Sequence, residues 1–354
     1  GKAKIDSTWR PQEKGGYIVT ISLSNKQVFN QHSKNGGELT TPDLNKNKAE
    51  STIYEVEFKC IFEKGEIENY PSMDRDLLSD EEKEIELRYK DNLVLAVGHG
   101  VGTNWKKNLQ NKMEIWADFM PCVEVPTITT KTATDDENLS FEYLKDARNP
   151  DVIKSLKEFV DDYKKWGIDQ SNNASNELKE DINTANELIK KQQIAIKRME
   201  QGVDLITNNP KVRKSFSIAN EAMLLQMQQS NINSPSWRPF QLGFILMTLE
   251  STINEDSSFR DTLDLIWFPT GGGKTEAYLG LMAFLFIYRR LSYKDTSGGT
   301  VAIMRYTLRL LSSQQFLRAT KVICALELIR KENELELGKD CFSVGLWVGG
   351  GVTP

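Results

Sequence analysis

The spacing of hydrophobic and polar positions along the 354 residues changes character twice. Up to residue 126 the apolar residues fall in short runs: "GYIVTISLS" (Gly16–Ser24), "TIYEVEFKCIF" (Thr52–Phe62), "NLVLAVG" (Asn92–Gly98) and "MEIWADFMPCVEV" (Met113–Val125). Their β-branched and aromatic content predicts strands, and the polar segments between them read as loops. One helix is expected among them, because Ser79 and Glu82 have capping-box spacing ahead of "DEEKEIELRYK". Residues 1–126 therefore predict a β-rich N-terminal domain. Thr127–Ser140 cannot bury a face and reads as a linker.

Between residues 141 and 235 the period becomes helical. Val152, Leu156, Phe159, Val160, Tyr163 and Trp166 share one face, and "GIDQSNNAS" (Gly167–Ser175) is expected to break that helix. Leu178, Ile182, Ala185, Ile189, Gln192, Ile196, Met199, Val203 and Ile206 then alternate four and three apart, a heptad pattern with one polar position. An antiparallel hairpin packed within the protein is the first reading, and a dimerising coiled coil the second. Asn208-Asn209-Pro210 ends the hairpin, and Ser215–Ser230 predicts another amphipathic helix.

From Ser236 onward helices and strands alternate. Trp237–Thr252, Thr275–Ser292 and Thr307–Leu337 read as helices, and Thr262–Phe268, Thr300–Arg305 and Phe342–Val348 as strands. Such βαβ alternation predicts a parallel sheet covered by helices over residues 236–354.

Composition narrows the partners. A net charge of −5 gives no general excess for nucleic acid, so any such contact must come from local basic patches. The four cysteines form no CxxC pair and only two histidines accompany them, so reduced, mostly buried thiols and a cytoplasmic protein are expected, without a zinc site. No apolar run reaches the ~20 residues that span a bilayer, and no signal peptide opens the chain. A start at Gly1 without methionine and an end at "GGGVTP" suggest a piece of a longer protein.

The chemistry concentrates in "DLIWFPTGGGKTEAYLGLMAF" (Asp264–Phe284). A strand, a glycine-rich turn and a helix in that order present backbone N–H groups and a positive helix end to a phosphate. Thr270, Gly271, Gly272 and Gly273 form the turn. Lys274 would neutralise the β- and γ-phosphates of ATP, and the Thr275 hydroxyl would ligand Mg²⁺. The general pattern wants glycine at position 268, where this chain has Phe268. "PTGGGKT" resembles motif I of superfamily 2 helicases, in which that first glycine is commonly replaced. Upstream, "WRPFQLGF" (Trp237–Phe244) resembles their Q motif, and Gln241 offers a donor and an acceptor to the adenine edge. Downstream, "TVAIMRYTLRLLSSQQ" resembles motif Ia, which implies nucleic-acid backbone contacts by Thr307 and Arg309, with Gln314 in the helix; Arg305 and Arg318 could extend that basic track. "GLWVGGGVTP" resembles motif Ib, which implies a phosphate contact at Gly350.

The wording of these segments, with "LAVGHGVGTNW" and "ANEAM" upstream, resembles the DrmA family, the helicase subunits of bacterial DISARM anti-phage systems. The resemblance implies a RecA-like lobe, DNA translocation, a partner carrying a DUF1998 domain and a restriction role. His99 in "GHG" has no accompanying nucleophile or ligand cluster and reads as a turn residue. A P-loop enzyme of other chemistry, such as a small-molecule kinase, is the alternative; a binding module with a vestigial ATPase is another. The acidic box that helicases need after an apolar strand is missing: "DEEK" (Asp80–Lys83) and "DDEN" (Asp135–Asn138) both precede the loop. These 354 residues alone are therefore expected to turn over ATP poorly.

Overall fold

The computed structural model describes residues 2–13, 15–29, 40–71, 74–118, 120, 137–177, 181–229, 234–268, 271–306 and 309–347. The chain divides into two compact units. One holds residues 1–78 and 89–125, and the other residues 79–88 and 126–354.

In the first unit, β1 (Ala3–Pro11) pairs antiparallel with β2 (Tyr17–Asn25), from Ala3 opposite Asn25 to Pro11 opposite Tyr17. A second antiparallel sheet has the order β3 (Phe58–Ile61), β5 (Met113–Asp118), β4 (Gly102–Lys107). Asn108 shapes the β4–β5 turn, its Oδ1 accepting from the backbone N–H groups of Gln110 and Lys112 at 3.0 Å each. Asparagine suits this place because its side chain mimics a backbone acceptor. Helix α1 (Thr41–Ser51) starts at Thr40, which caps the Asp43 N–H, and buries no residue. Sequence reading missed β1, β4 and α1, all rich in polar residues. Only the end of Thr52–Phe62 pairs as a strand. Asn92–Gly98 forms none, although the carbonyl of Val94 accepts from the Tyr70 N–H at 2.6 Å. His99 is exposed in a bend.

The second unit is helical. It contains α2 (Asp80–Arg88), α3 (Phe141–Leu144), α4 (Pro150–Glu177), α5 (Ile182–Asn208), α6 (Pro210–Gln228), α7 (Pro239–Ile253), α8 (Lys274–Tyr293), α9 (Arg309–Glu332) and α10 (Glu334–Leu337). The capping box at α2 forms: the Ser79 N–H donates to Glu82 at 2.8 Å, and the Glu82 N–H to Ser79 Oγ at 3.3 Å. Helix α4 runs straight through the expected break. The polar residues there face outward while Ala174 stays buried, so packing on one side sustains the helix. Lys164 pairs with Glu200 at 2.8 Å and Gly167 lies against Ile196 and Gln192, so α4 and α5 run antiparallel. Ala185, Ile196, Met199, Val203 and Ile206 of the heptad pattern are buried inside the unit, against α4 and α7. A Cβ on Gly202 would lie 2.0 Å from the Leu246 carbonyl oxygen, so glycine is what lets α5 and α7 meet.

Trp237 anchors the core. Its ring meets Phe141 edge-on at 4.7 Å, and its Nε1 donates to Asn220 Oδ1 at 2.8 Å. Leu139, at the end of the expected linker, is also buried, its carbonyl accepting from the Trp237 N–H at 2.9 Å. The 262–268, 300–306 and 341–347 segments form neither helix nor ladder, and the described sheets are antiparallel. Leu263 and Leu265 are 92% and 81% exposed, so this apolar segment is uncovered. Thiol burial also differs from expectation. Cys60 is half-buried, but Cys324 and Cys341 are exposed. Cys324 falls off the α9 face that buries Val322, Ala325, Leu326 and Ile329. Cys122 lies outside the described residues. No described helix is long and apolar enough to cross a membrane.

Candidate functional site

Helix α7 and helix α8 start beside each other, and the glycine turn runs between them. Pro239 occupies the first turn of α7, where its missing N–H costs nothing. Gln241 then folds back to accept from the Arg238 N–H at 2.7 Å, while its own N–H donates to the Arg238 carbonyl at 2.9 Å. Gln241 is buried, and the other end of its amide donates to the Gly273 carbonyl at 2.6 Å. The Arg238 guanidinium donates to the Gly272 carbonyl at 2.9 Å. Two consecutive carbonyls of the turn are thus held from the start of α7.

Gly271 and Gly273 both have left-handed backbone, with φ of +81° and +87°. At Gly273 a second restriction acts, since a Cβ there would lie 2.8 Å from Gln241 Nε2. Gly273 caps α8 without a side chain, which leaves the helix's first-turn N–H groups to an outside acceptor. Lys274 Nζ donates to the Phe268 carbonyl at 2.5 Å. Phe268, the departure from the general pattern, stacks on Phe240 of α7 with ring centres 4.0 Å apart. An aromatic residue in glycine's place therefore packs the start of the loop onto α7.

The loop and the first turn of α8 also meet Tyr306 and the α9 residue Arg318. The Tyr306 hydroxyl lies within hydrogen-bonding range of the Thr275 side chain. Burial raises the Tyr306 phenol above its ordinary pKa, with Arg318 and the Thr275 contact acting the other way. Glu276 is paired with Arg318 of α9. Its second carboxylate oxygen is buried without a hydrogen-bond partner and would lie 3.3 Å from a Cβ on Gly273.

Behind the loop, Arg198 of α5 grips Asp264 at 2.5 and 2.7 Å, donates to Ser251 at 3.3 Å, and lies over the Phe259 ring at 4.7 Å.

Gln241, Gly271, Gly272, Gly273, Lys274 and Thr275 thus come together in one place. Gln314 is exposed on α9. Thr270, Thr307 and Gly350 lie outside the described residues, as does the side chain of Arg309, the first residue of α9. Arg318 pairs with Glu276 beside the loop. Sequence reasoning missed Arg238, Glu276 and Tyr306. Gln241, three residues after Arg238, has the spacing to cap the Arg238 N–H, which marks the start of α7; Tyr306 gave no signal, since its contact is made only by folding.

Fold and site define a mixed helical and sheet protein with a glycine turn braced between two helix starts. No protein-family model matches the chain. Over 95% of its length, in an alignment of 376 residues, it is 33% identical to the DISARM protein DrmA of Bacillus paralicheniformis. It is a DrmA-like protein, and it spans 31% of the length of that relative.

Proposed function

We propose that this chain is part of a DISARM-type anti-phage system and supplies the ATP-binding segment of a superfamily 2 DNA translocase. The observation that carries the reading is the braced turn at Gly271–Thr275, in a chain similar to a DISARM protein along nearly its whole length. The residues present fit a nucleotide triphosphate. Left-handed glycines keep side chains out of the concavity, the α8 N-terminus supplies N–H donors, and Lys274 supplies a cation. Thr275 would hold Mg²⁺, which would offset phosphate charge during transfer.

In this reading the extended segments at 262–268, 300–306 and 341–347 are strands of a RecA-like parallel sheet. Such strands would pair their backbone N–H and C=O groups with neighbouring strands, and these segments make no ladder among the described residues. Exposure of Leu263 and Leu265 agrees with this. Thr307, Arg309, Gln314 and Gly350 would follow the DNA backbone, and a DUF1998-domain subunit would be the partner.

The test is ATP turnover with and without DNA, measured on a full-length DrmA-like protein containing this segment. DNA-stimulated hydrolysis that disappears in Lys274→Ala is the expected result. Turnover indifferent to DNA would favour P-loop chemistry of another kind, and DNA binding without ATP binding would favour a vestigial ATPase.

A further inference from the structure

We infer that Arg238 and Gln241 are positioning residues for phosphate: they set the directions of the turn's N–H groups, and their substitution weakens phosphate binding whatever base is attached. The inference rests on the phosphate-loop reading above and deepens it. In a trans peptide the carbonyl and the following N–H point in opposite directions. With the Gly272 carbonyl held by Arg238 at 2.9 Å, the Gly273 N–H points away from α7. With the Gly273 carbonyl held by Gln241 at 2.6 Å, the Lys274 N–H points the same way. Two adjacent donors are thereby aligned before any anion arrives, which spares the ligand the cost of ordering a glycine-rich segment.

The geometry also limits what Gln241 can do otherwise. One end of its amide accepts from Arg238 and the other donates to Gly273, and the residue is 3% exposed. The Gln241 amide that caps the Arg238 N–H at the start of α7 is therefore the same group that aligns the turn. Arg238 and Gln241 lie three residues apart because that spacing returns a helix's first-turn side chain to its own N-cap. From there both reach the turn at adjacent carbonyls.

Calorimetry with inorganic tripolyphosphate, ATP and GTP, each with Mg²⁺, tests the inference on the full chain. Arg238→Met and Gln241→Leu should each weaken all three ligands by a similar factor, on the order of tenfold. Arg238→Lys, which keeps a charged donor, should recover most of the loss. Melting temperatures identify any variant that fails to fold. Gln241→Asn then serves in place of Gln241→Leu, since it keeps an amide too short to cap and reach Gly273 together, and it should weaken the same three ligands. Loss confined to ATP, with tripolyphosphate unchanged, would assign Gln241 to the base and overturn the inference. Unchanged affinity for all three would overturn it too. Tripolyphosphate binding that Lys274→Ala abolishes keeps the phosphate-loop reading intact in either case. A folded parent that binds none of the ligands would remove that reading and this inference together.

Discussion

Arg198 and Asp264 form a two-point ion pair at 2.5 and 2.7 Å, with side chains only 5% and 16% exposed. It joins the helical hairpin to the segment that leads into the glycine turn. Breaking a buried pair from one side costs more than the pair contributes, because the remaining charge stays buried. Arg198→Met should therefore destabilise the protein by about 3–5 kcal/mol. Adding Asp264→Asn should restore part of the loss. Urea unfolding of the single and double variants measures both, and equal midpoints for the parent and Arg198→Met would show that the pair is dispensable.

Lys274→Ala should lower Mg·ATP affinity by at least about tenfold while leaving the melting temperature near that of the parent. A charged donor to a charged acceptor contributes roughly 1.5–3 kcal/mol. Its Phe268 contact is to a backbone carbonyl within the loop itself, which ties no separate element of the fold to α8. Titration calorimetry is the direct measurement.

Arg318 and Glu276 make a contrary prediction to a DNA-track role. Arg318→Ala strips the partner from a carboxylate beside the turn, and an uncompensated negative charge there opposes phosphate. ATP affinity should drop on the order of tenfold, and Glu276→Gln added to Arg318→Ala should return it. The salt dependence of DNA binding should not move. A reduced salt slope would put Arg318 on DNA after all.

Arg309→Ala should do the reverse. One lost phosphate contact lowers the salt slope by about 0.9 on duplex DNA and about 0.7 on a single strand. Binding isotherms over a range of salt would show it, with ATP affinity unchanged.

Acid sensitivity should trace in part to Glu327. Burial works to raise its pKa, but hydrogen bonds from Arg330 and from the Phe342 N–H outweigh that and hold it below the usual carboxylate value. A depressed folded-state pKa contributes stability above the unfolded value of about 4.3, lost as pH falls toward the folded one. Glu327→Gln should lower stability at neutral pH and flatten its decline in acid. Parallel acid profiles for variant and parent would remove Glu327 from the account.

Much was legible in the sequence because its cause is local. The capping box at Ser79 and Glu82, the heptad face from Ala185 to Ile206, and the order of apolar run, glycines and Lys-Thr depend only on neighbours in the chain. The break expected at Gly167–Ser175 went the other way, because packing of one helical side outweighs poor propensity. Cys324 and Cys341 turned outward because helix phase and loop position, not residue type, decide exposure. Only the tertiary structure could bring Arg198 to Asp264, Arg318 to Glu276 and Tyr306 to Thr275. These partners lie tens of residues apart, and their meeting depends on helix crossings that no local pattern encodes. Gln241 stands between the two kinds of cause: its capping role follows from a three-residue spacing, but its grip on Gly273 exists only because α7 and α8 begin side by side.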